Sequence, residues 1–299
     1  MILHDSTGKT ISFVENRISQ FFSDEIFCIN SFYKSNKFNY ISDISKSILH
    51  NTYYKYSNPT YIHPPILGRN DNSCKEILYP RISAVFSRGS FDCGGRLYSI
   101  VKRGIGWQNL SQEERATITI NGEFTVELDF KALHVSMLYA IMGIQLQEDP
   151  YTDFSAEMRP LYKTLMLRLL NAKSIAGTLQ SIERTLWLLC RKPFILNKEM
   201  KFLNAVEQFK PNWRKLIVEL MDHHKPIQRY FGSDCGIFLQ RLDGEMMLHI
   251  LSVLAQEGIP ALPVHDSVIV PRHTQNRAAE VMQSVYCRYM GFDCIVEAK

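Results

Sequence analysis

Two aspartates in this 299-residue chain stand where strand signals are strongest, Asp129 in EFTVELDF and Asp266 in LPVHDSVIV. Carboxylates delivered by separate strands are the usual minimum clamp for a pair of divalent ions. Two such ions roughly 3.5–4 Å apart make an attacking hydroxyl more acidic and a phosphoryl leaving group less costly to expel. A second pairing is Arg159 with Lys163, four residues apart and therefore on one face of a helix, where two cations oppose the charge of a polyphosphate. Taken singly, an aspartate at a strand end is more often a turn or cap residue than a metal ligand. An Arg-Lys pair alone is more often an ordinary exposed helix face.

The elements that must present these groups are legible from residue 116 onward. ATITI, Asn121-Gly122 and EFTVELDF make a two-residue hairpin, because Asn-Gly tolerates the positive φ of a type I′ turn. Along its second strand Phe124, Val126, Leu128 and Phe130 share one face and Thr125, Glu127 and Asp129 the other, so Asp129 points away from the apolar side. Leu133, Met137, Leu138 and Ile141 then predict a helix stopped by Gly143, and residues 155 to 230 read as mainly helical. A further helix is predicted from an Asp243 cap through Met247, Ile250, Leu251 and Leu254 to Gly258. ALPVHDSVIVPRH reads as two short strands meeting at His265-Asp266, Thr274 as the cap of a helix ending at Gly291, and FDCIVE as a closing strand. That order implies an antiparallel sheet backed by helices, an α+β architecture. Before residue 90 the pattern gives only loose helices around 11–22 and 40–50, and YSNPTYIHPPILGRNDNS reads as an extended connection.

A 45% hydrophobic content over 299 residues can bury a substantial core without cross-links. The seven cysteines form no C-x-x-C pair and are odd in number, which implies reduced thiols and an intracellular protein. No secretory leader and no run of about 18 apolar residues is found, so the expectation is a cytoplasmic chain without membrane partners. Net charge is only +4, but residues 159 to 229 hold 14 Lys and Arg against 5 Asp and Glu. That segment is a candidate phosphate-binding face or a set of solvated helix faces.

GEFTVELDFKALHVSMLYA resembles the first catalytic motif of family A DNA polymerases and single-subunit phage-type RNA polymerases, and LPVHDSVIV resembles their second. The resemblance implies that Asp129 and Asp266 bind two Mg²⁺ or Mn²⁺ ions, with the carbonyl of Phe130 a third ligand. DCGGRLYS, residues 92–99, is similar to the D-x-x-G-R element of the RNA polymerases and the T-G-R element of the DNA enzymes, so Arg96 would hold template or primer backbone. Gln108 and Asn109 resemble the Q-N segment that follows, and with His265 they would contact nucleic acid. Arg159 and Lys163 resemble the R-x-x-x-K pair that grips the incoming triphosphate. The four elements occur in the families' order over residues 91 to 273. The implied fold is a right hand with an antiparallel-sheet palm (91–150 and 236–299), helical fingers (151–235) and a thumb-like or accessory region (1–90).

Two departures bear on substrate. Asn171 stands where the families carry a tyrosine in the fingers, and His134 stands where DNA polymerases place a glutamate that excludes the 2′-hydroxyl. Both positions would face the nucleotide, and neither the DNA nor the RNA pattern is met. The expected activity is nucleotidyl transfer to a 3′-hydroxyl, template-directed, with a nucleic-acid template, a primer and nucleoside triphosphates as partners. A template-independent or primase-like transferase and a non-catalytic nucleic-acid-binding relative are the alternatives. Gly8-Lys9-Thr10 mimics the end of a phosphate-binding loop but lacks its first glycine, Leu3 standing there. His223-His224 reads as a solvated pair.

Overall fold

Asn121 (φ 54°) and Gly122 (φ 89°) both take the left-handed backbone that a type I′ turn requires, and the hairpin predicted around them is present. It belongs to a computed structural model that describes residues 1–43, 73–78, 80–100, 106–151, 154–192 and 197–299. In chain order the elements are β1 (Ile2–Leu3), α1 (Arg17–Tyr33), β2 (Phe38–Asp43), β3 (Ser73–Leu78), β4 (Ile82–Ser87), β5 (Ser90–Ser99), α2 (Gln112–Arg115), β6 (Thr119–Ile120) and β7 (Glu123–Phe130). There follow α3 (Leu133–Ile141), α4 (Arg159–Asn171), α5 (Ile175–Leu189), α6 (Asn197–Phe209), α7 (Trp213–His223), α8 (Gly236–Gln256), β8 (Leu262–Val264), β9 (Ser267–Pro271), α9 (Gln275–Met290) and β10 (Val296–Ala298). The chain divides into two compact units, one of Met1–Phe130, Arg241–Tyr289 and Ile295–Lys299, the other of Lys131–Gln240 and Met290–Cys294.

The first unit is α+β. Its larger sheet runs β3-β2-β6-β7-β9-β8, with β10 also paired to β7, and every pairing in it is antiparallel. A smaller sheet runs β1-β4-β5, with β1 parallel to β4. Phe22, Ile29, Phe86, Leu128, Phe130, Val268, Met282 and Tyr286 are among its fully buried core side chains. Helix α1 starts later than predicted. Asn16 caps it, accepting from the Ser19 N–H at 2.9 Å while Ser19 Oγ accepts from the Asn16 N–H at 2.8 Å. Residue 11 instead extends the chain, the Ile11 N–H donating to the Leu3 carbonyl. The helix predicted around 40–50 is also corrected: residues 40–43 belong to β2, which has strands on both sides, and Phe38 and Tyr40 bury on one face with period two. Residues 44–50 of that prediction, and the connection YSNPTYIHPPILGRNDNS except its last residue, lie outside the described residues.

In the second unit, Lys131–Gln240 with Met290–Cys294, the described residues of the stretch predicted to be mainly helical are mainly helical, with Leu161, Leu165, Leu169, Ile182, Leu220 and Ile227 fully or almost fully buried. His224 corrects the expectation of a solvated histidine pair. It is wholly buried, Nδ1 lying 2.9 Å from the Tyr139 hydroxyl and Nε2 3.1 Å from the Pro150 carbonyl oxygen, whereas His223 is exposed. Burial first, and the neighbouring His223 second, push the His224 imidazole down to about 4. Cys28, Cys93, Cys190, Cys235, Cys287 and Cys294 are free thiols, and among the described residues no helix is long and apolar enough to cross a membrane.

Candidate active site

Strand register brings the two aspartates to neighbouring positions. Asp129 on β7 faces Ser267, the first residue of β9, and Asp266 immediately precedes Ser267 in the two-residue loop from β8. The Phe130 N–H donates to the Asp266 carbonyl at 3.3 Å, extending the ladder past the last paired residues. His265 opens that loop at φ 57°, a conformation that such loops usually give to glycine or asparagine. On its other edge Asp129 faces Glu297 of β10, and the Lys299 N–H donates to the Glu127 carbonyl at 2.9 Å.

The face that carries Asp129 is not a solvent face. Thr125 and Glu127 are buried on it, and the Glu127 carboxylate is held from three directions. Arg115 grips it with Nε 2.8 Å from Oε2 and Nη2 3.2 Å from Oε1, the Ser267 hydroxyl lies 2.8 Å from Oε1, and Lys299 Nζ is 3.2 Å from Oε1. Burial works against ionising Glu127, but the Arg115 hydrogen bonds and charge, with Lys299 and Ser267, outweigh it and hold the carboxyl below the usual glutamate range. Asp129 goes the other way. Burial, then the negative charge of Asp266, lift its carboxyl to about 6 despite Lys299 Nζ at 3.0 Å from Oδ1. Burial opposes the charge of the Lys299 ammonium, yet Asp129 and Glu127 keep it above the usual lysine range.

Asp129 and Asp266 are thus two hard-oxygen donors that repel each other, with the Lys299 ammonium on one of them. Mg²⁺ is commonly held by one or two carboxylates with substrate phosphates and water completing its shell, and the pair fits that requirement. Among the described residues no group of three or more His, Cys, Asp or Glu converges as an all-protein metal cage.

Arg96 is placed by the glycines before it. Gly94 (φ 81°) and Gly95 (φ 84°) form a bulge in β5, where Phe86 pairs with Gly94 and Val85 with Arg96. A Cβ on Gly244 of α8 would lie 2.2 Å from the Gly95 carbonyl oxygen, so helix and bulge approach as only glycine allows. Arg96 Nε then reaches the buried Asp243 at 2.7 Å. Asp243 is therefore interior to a helix that begins at Gly236, not the cap of a shorter one. Gln108 is committed within the fold, its Nε2 donating to the carbonyls of Leu97 (3.0 Å) and Pro263 (2.9 Å) and its Oε1 accepting from the Ser99 N–H (2.9 Å). Asn109 is exposed. His265 packs edge-on to Tyr98, and burial, then Arg96, lower its imidazole below the usual range.

In the second unit, α4 begins at Arg159, so Pro160 falls in the first turn where its missing N–H costs nothing. Arg159 pairs with Asp149, and Arg159 and Lys163 both lie over the Tyr151 ring, at 5.3 and 6.0 Å from its centre. Asn171 ends the helix, its side-chain amide donating to the Leu167 carbonyl at 2.7 Å, and His134 stands half-buried in the first turn of α3.

No protein-family model and no curated protein matches the sequence. Several solved structures are similar to the chain in fold. One of them is the POL domain of Pol1 from M. smegmatis in complex with DNA primer-template and dNTP, at TM-score 0.40 and 10% identity over 74% of this chain and 47% of that one. The chain thus spans about half the length of that structure.

Sequence reasoning did not assign Glu127, Arg115 or Lys299 to the site. Glu127 carried a signal, since it alternates with Asp129 on one strand face. Arg115 and Lys299 carried none, because only the register of β7 with β10 and the position of α2 bring them to that carboxylate.

Proposed function

We propose that this chain is a nucleotidyltransferase of the right-hand polymerase kind, which extends a nucleic-acid 3′-hydroxyl with nucleoside triphosphates under template direction. The observation that carries the reading is the placement of Asp129, near the end of β7, beside the loop that holds Asp266 just before the antiparallel β9, 137 positions apart in sequence. It is the juxtaposition that the two catalytic-motif resemblances require.

Asp129 and Asp266 would hold the divalent ions, with the Phe130 carbonyl as the further ligand that the resemblance implies. When bound, such ions acidify the attacking hydroxyl and neutralise the leaving pyrophosphate. The chain's own residues do the rest. Arg115 and Ser267 fix Glu127 beneath Asp129, so the carboxylate face is rigid before substrate arrives. The resemblance gives the triphosphate to Arg159 and Lys163. Asp149 holds the Arg159 guanidinium in the meantime, and a polyphosphate is the stronger acceptor that would draw it away. Arg96, locked to Asp243, has the orientation of its guanidinium set by the β5 bulge and would present its outer edge to a backbone phosphate.

Extension of labelled DNA and RNA primers on defined templates, with dNTPs or NTPs and Mg²⁺ or Mn²⁺, tests the reading. Wild type is expected to extend at least one primer, and Asp129→Asn and Asp266→Asn to lose that extension at unchanged secondary structure. Identical behaviour of wild type and Asp266→Asn in every condition would overturn it. Homopolymer addition without template would transfer the site to a template-independent enzyme.

A further inference from the structure

We infer that Lys299 is a resident counter-cation of the carboxylate site, occupying Asp129 in competition with a divalent ion and withdrawing to Glu127 when the ion binds. The inference rests on the reading of Asp129 and Asp266 as the metal ligands and adds a residue that sets how tightly they bind. Its ground is the position of one ammonium on two carboxylates, 3.0 Å from Asp129 Oδ1 and 3.2 Å from Glu127 Oε1.

The lysine backbone is fixed, because its N–H donates to the Glu127 carbonyl at the end of the β10–β7 ladder. Only the four-carbon stem is left to move. One of its two partners is equally fixed: Arg115 and Ser267 hold Glu127 whether or not Lys299 is present. Among the described residues Asp129 has no such second cation. A divalent ion on Asp129 and an ammonium on the same carboxylate repel at short range in a half-buried setting, where screening by water is weak. The ion must therefore displace Lys299, and Glu127 offers the ammonium an ion pair that it already makes. Until that happens Lys299 offsets the repulsion between Asp129 and Asp266. The consequence is a site that is stable without metal and binds metal less tightly than its carboxylates alone would.

The test is the Mn²⁺ dissociation constant of the full chain without nucleotide or nucleic acid, read from the free-ion signal in electron paramagnetic resonance. Wild type, Lys299→Met, Lys299→Gln and Lys299→Arg would be compared, with Asp129→Asn defining the signal that belongs to this site. Both neutral variants are expected to bind Mn²⁺ about tenfold more tightly than wild type, equivalent to about 1.4 kcal/mol, and Lys299→Arg to stay near wild type. Without metal the neutral variants should melt below wild type, and saturating Mn²⁺ should close the gap. Equal or weaker Mn²⁺ binding by both Lys299→Met and Lys299→Gln overturns the inference while leaving the metal reading intact. Absence of any Asp129-dependent Mn²⁺ binding in all proteins would overturn the metal reading itself, and the inference with it.

Discussion

Removing Arg115 should cost the fold more than removing Arg115 and the charge of Glu127 together. The two side chains are only 14% and 8% exposed and meet through two hydrogen bonds, so Arg115→Met strands a carboxylate in a poorly hydrated place. Breaking one side of a buried ion pair typically costs about 3–5 kcal/mol, whereas replacing both charges is often close to neutral. Here Ser267 and Lys299 still reach Glu127, which puts Arg115→Met at the lower end, about 3 kcal/mol. Arg115→Met/Glu127→Gln should lose only about 1 kcal/mol, so adding the second change to Arg115→Met recovers about 2 kcal/mol. The assay is urea unfolding followed by Trp107 fluorescence in a Trp187→Phe/Trp213→Phe background. Trp107 is buried, and its indole N–H donates to the Pro263 carbonyl at 2.8 Å, so it reports on the unit that holds the pair even if the two units unfold separately. The pH dependence has a definite sign. Because the Glu127 carboxyl lies below its unfolded value, the stability it contributes is fully present above that value and is lost as pH falls through the folded one. The Arg115→Met penalty should therefore shrink over that acidic window. A loss under about 1 kcal/mol for Arg115→Met, or a double variant as unstable as the sum of the singles, would refute this account of how the carboxylate face is held.

Gly244→Ala would place a methyl 2.2 Å from the Gly95 carbonyl oxygen, and should destabilise by about 1–3 kcal/mol in urea unfolding although alanine is the better helix former. His224, whose imidazole is pushed down to about 4 from the ordinary 6.5, favours the folded state above 6.5 and loses that advantage as pH falls toward 4, on the order of 3 kcal/mol. Thermal melts at stepped pH should show this loss in wild type and a flatter profile in His224→Gln. Lys299→Met should tighten Mn²⁺ binding as described above.

What could be read from sequence was local chemistry. Asn121-Gly122 announces its turn because the conformation needed is a property of those two residues, and the β8–β9 pair is legible because its strands adjoin in sequence. Strand Phe38–Asp43 was misread because its partners, β3 and β6, are far along the chain and its own residues carry no turn signal. Asp243 was taken for a cap because cap preference is local, while the partner that makes it an interior residue, Arg96, is 147 positions away. The same limit governs the site. Asp129 and Asp266 could be paired only by resemblance to known motifs, and Glu127, though visibly on the face of Asp129, gains its meaning from Arg115 and Lys299, which pairing register and folding bring in.

The most direct measurement is an anomalous difference map at the manganese edge from crystals of the chain grown with Mn²⁺ and a non-hydrolysable nucleoside triphosphate. The account predicts density for Mn²⁺ between the carboxylates of Asp129 and Asp266, with the Lys299 ammonium withdrawn onto Glu127. Manganese bound elsewhere, with Asp129 and Asp266 untouched beside a bound triphosphate, would contradict it.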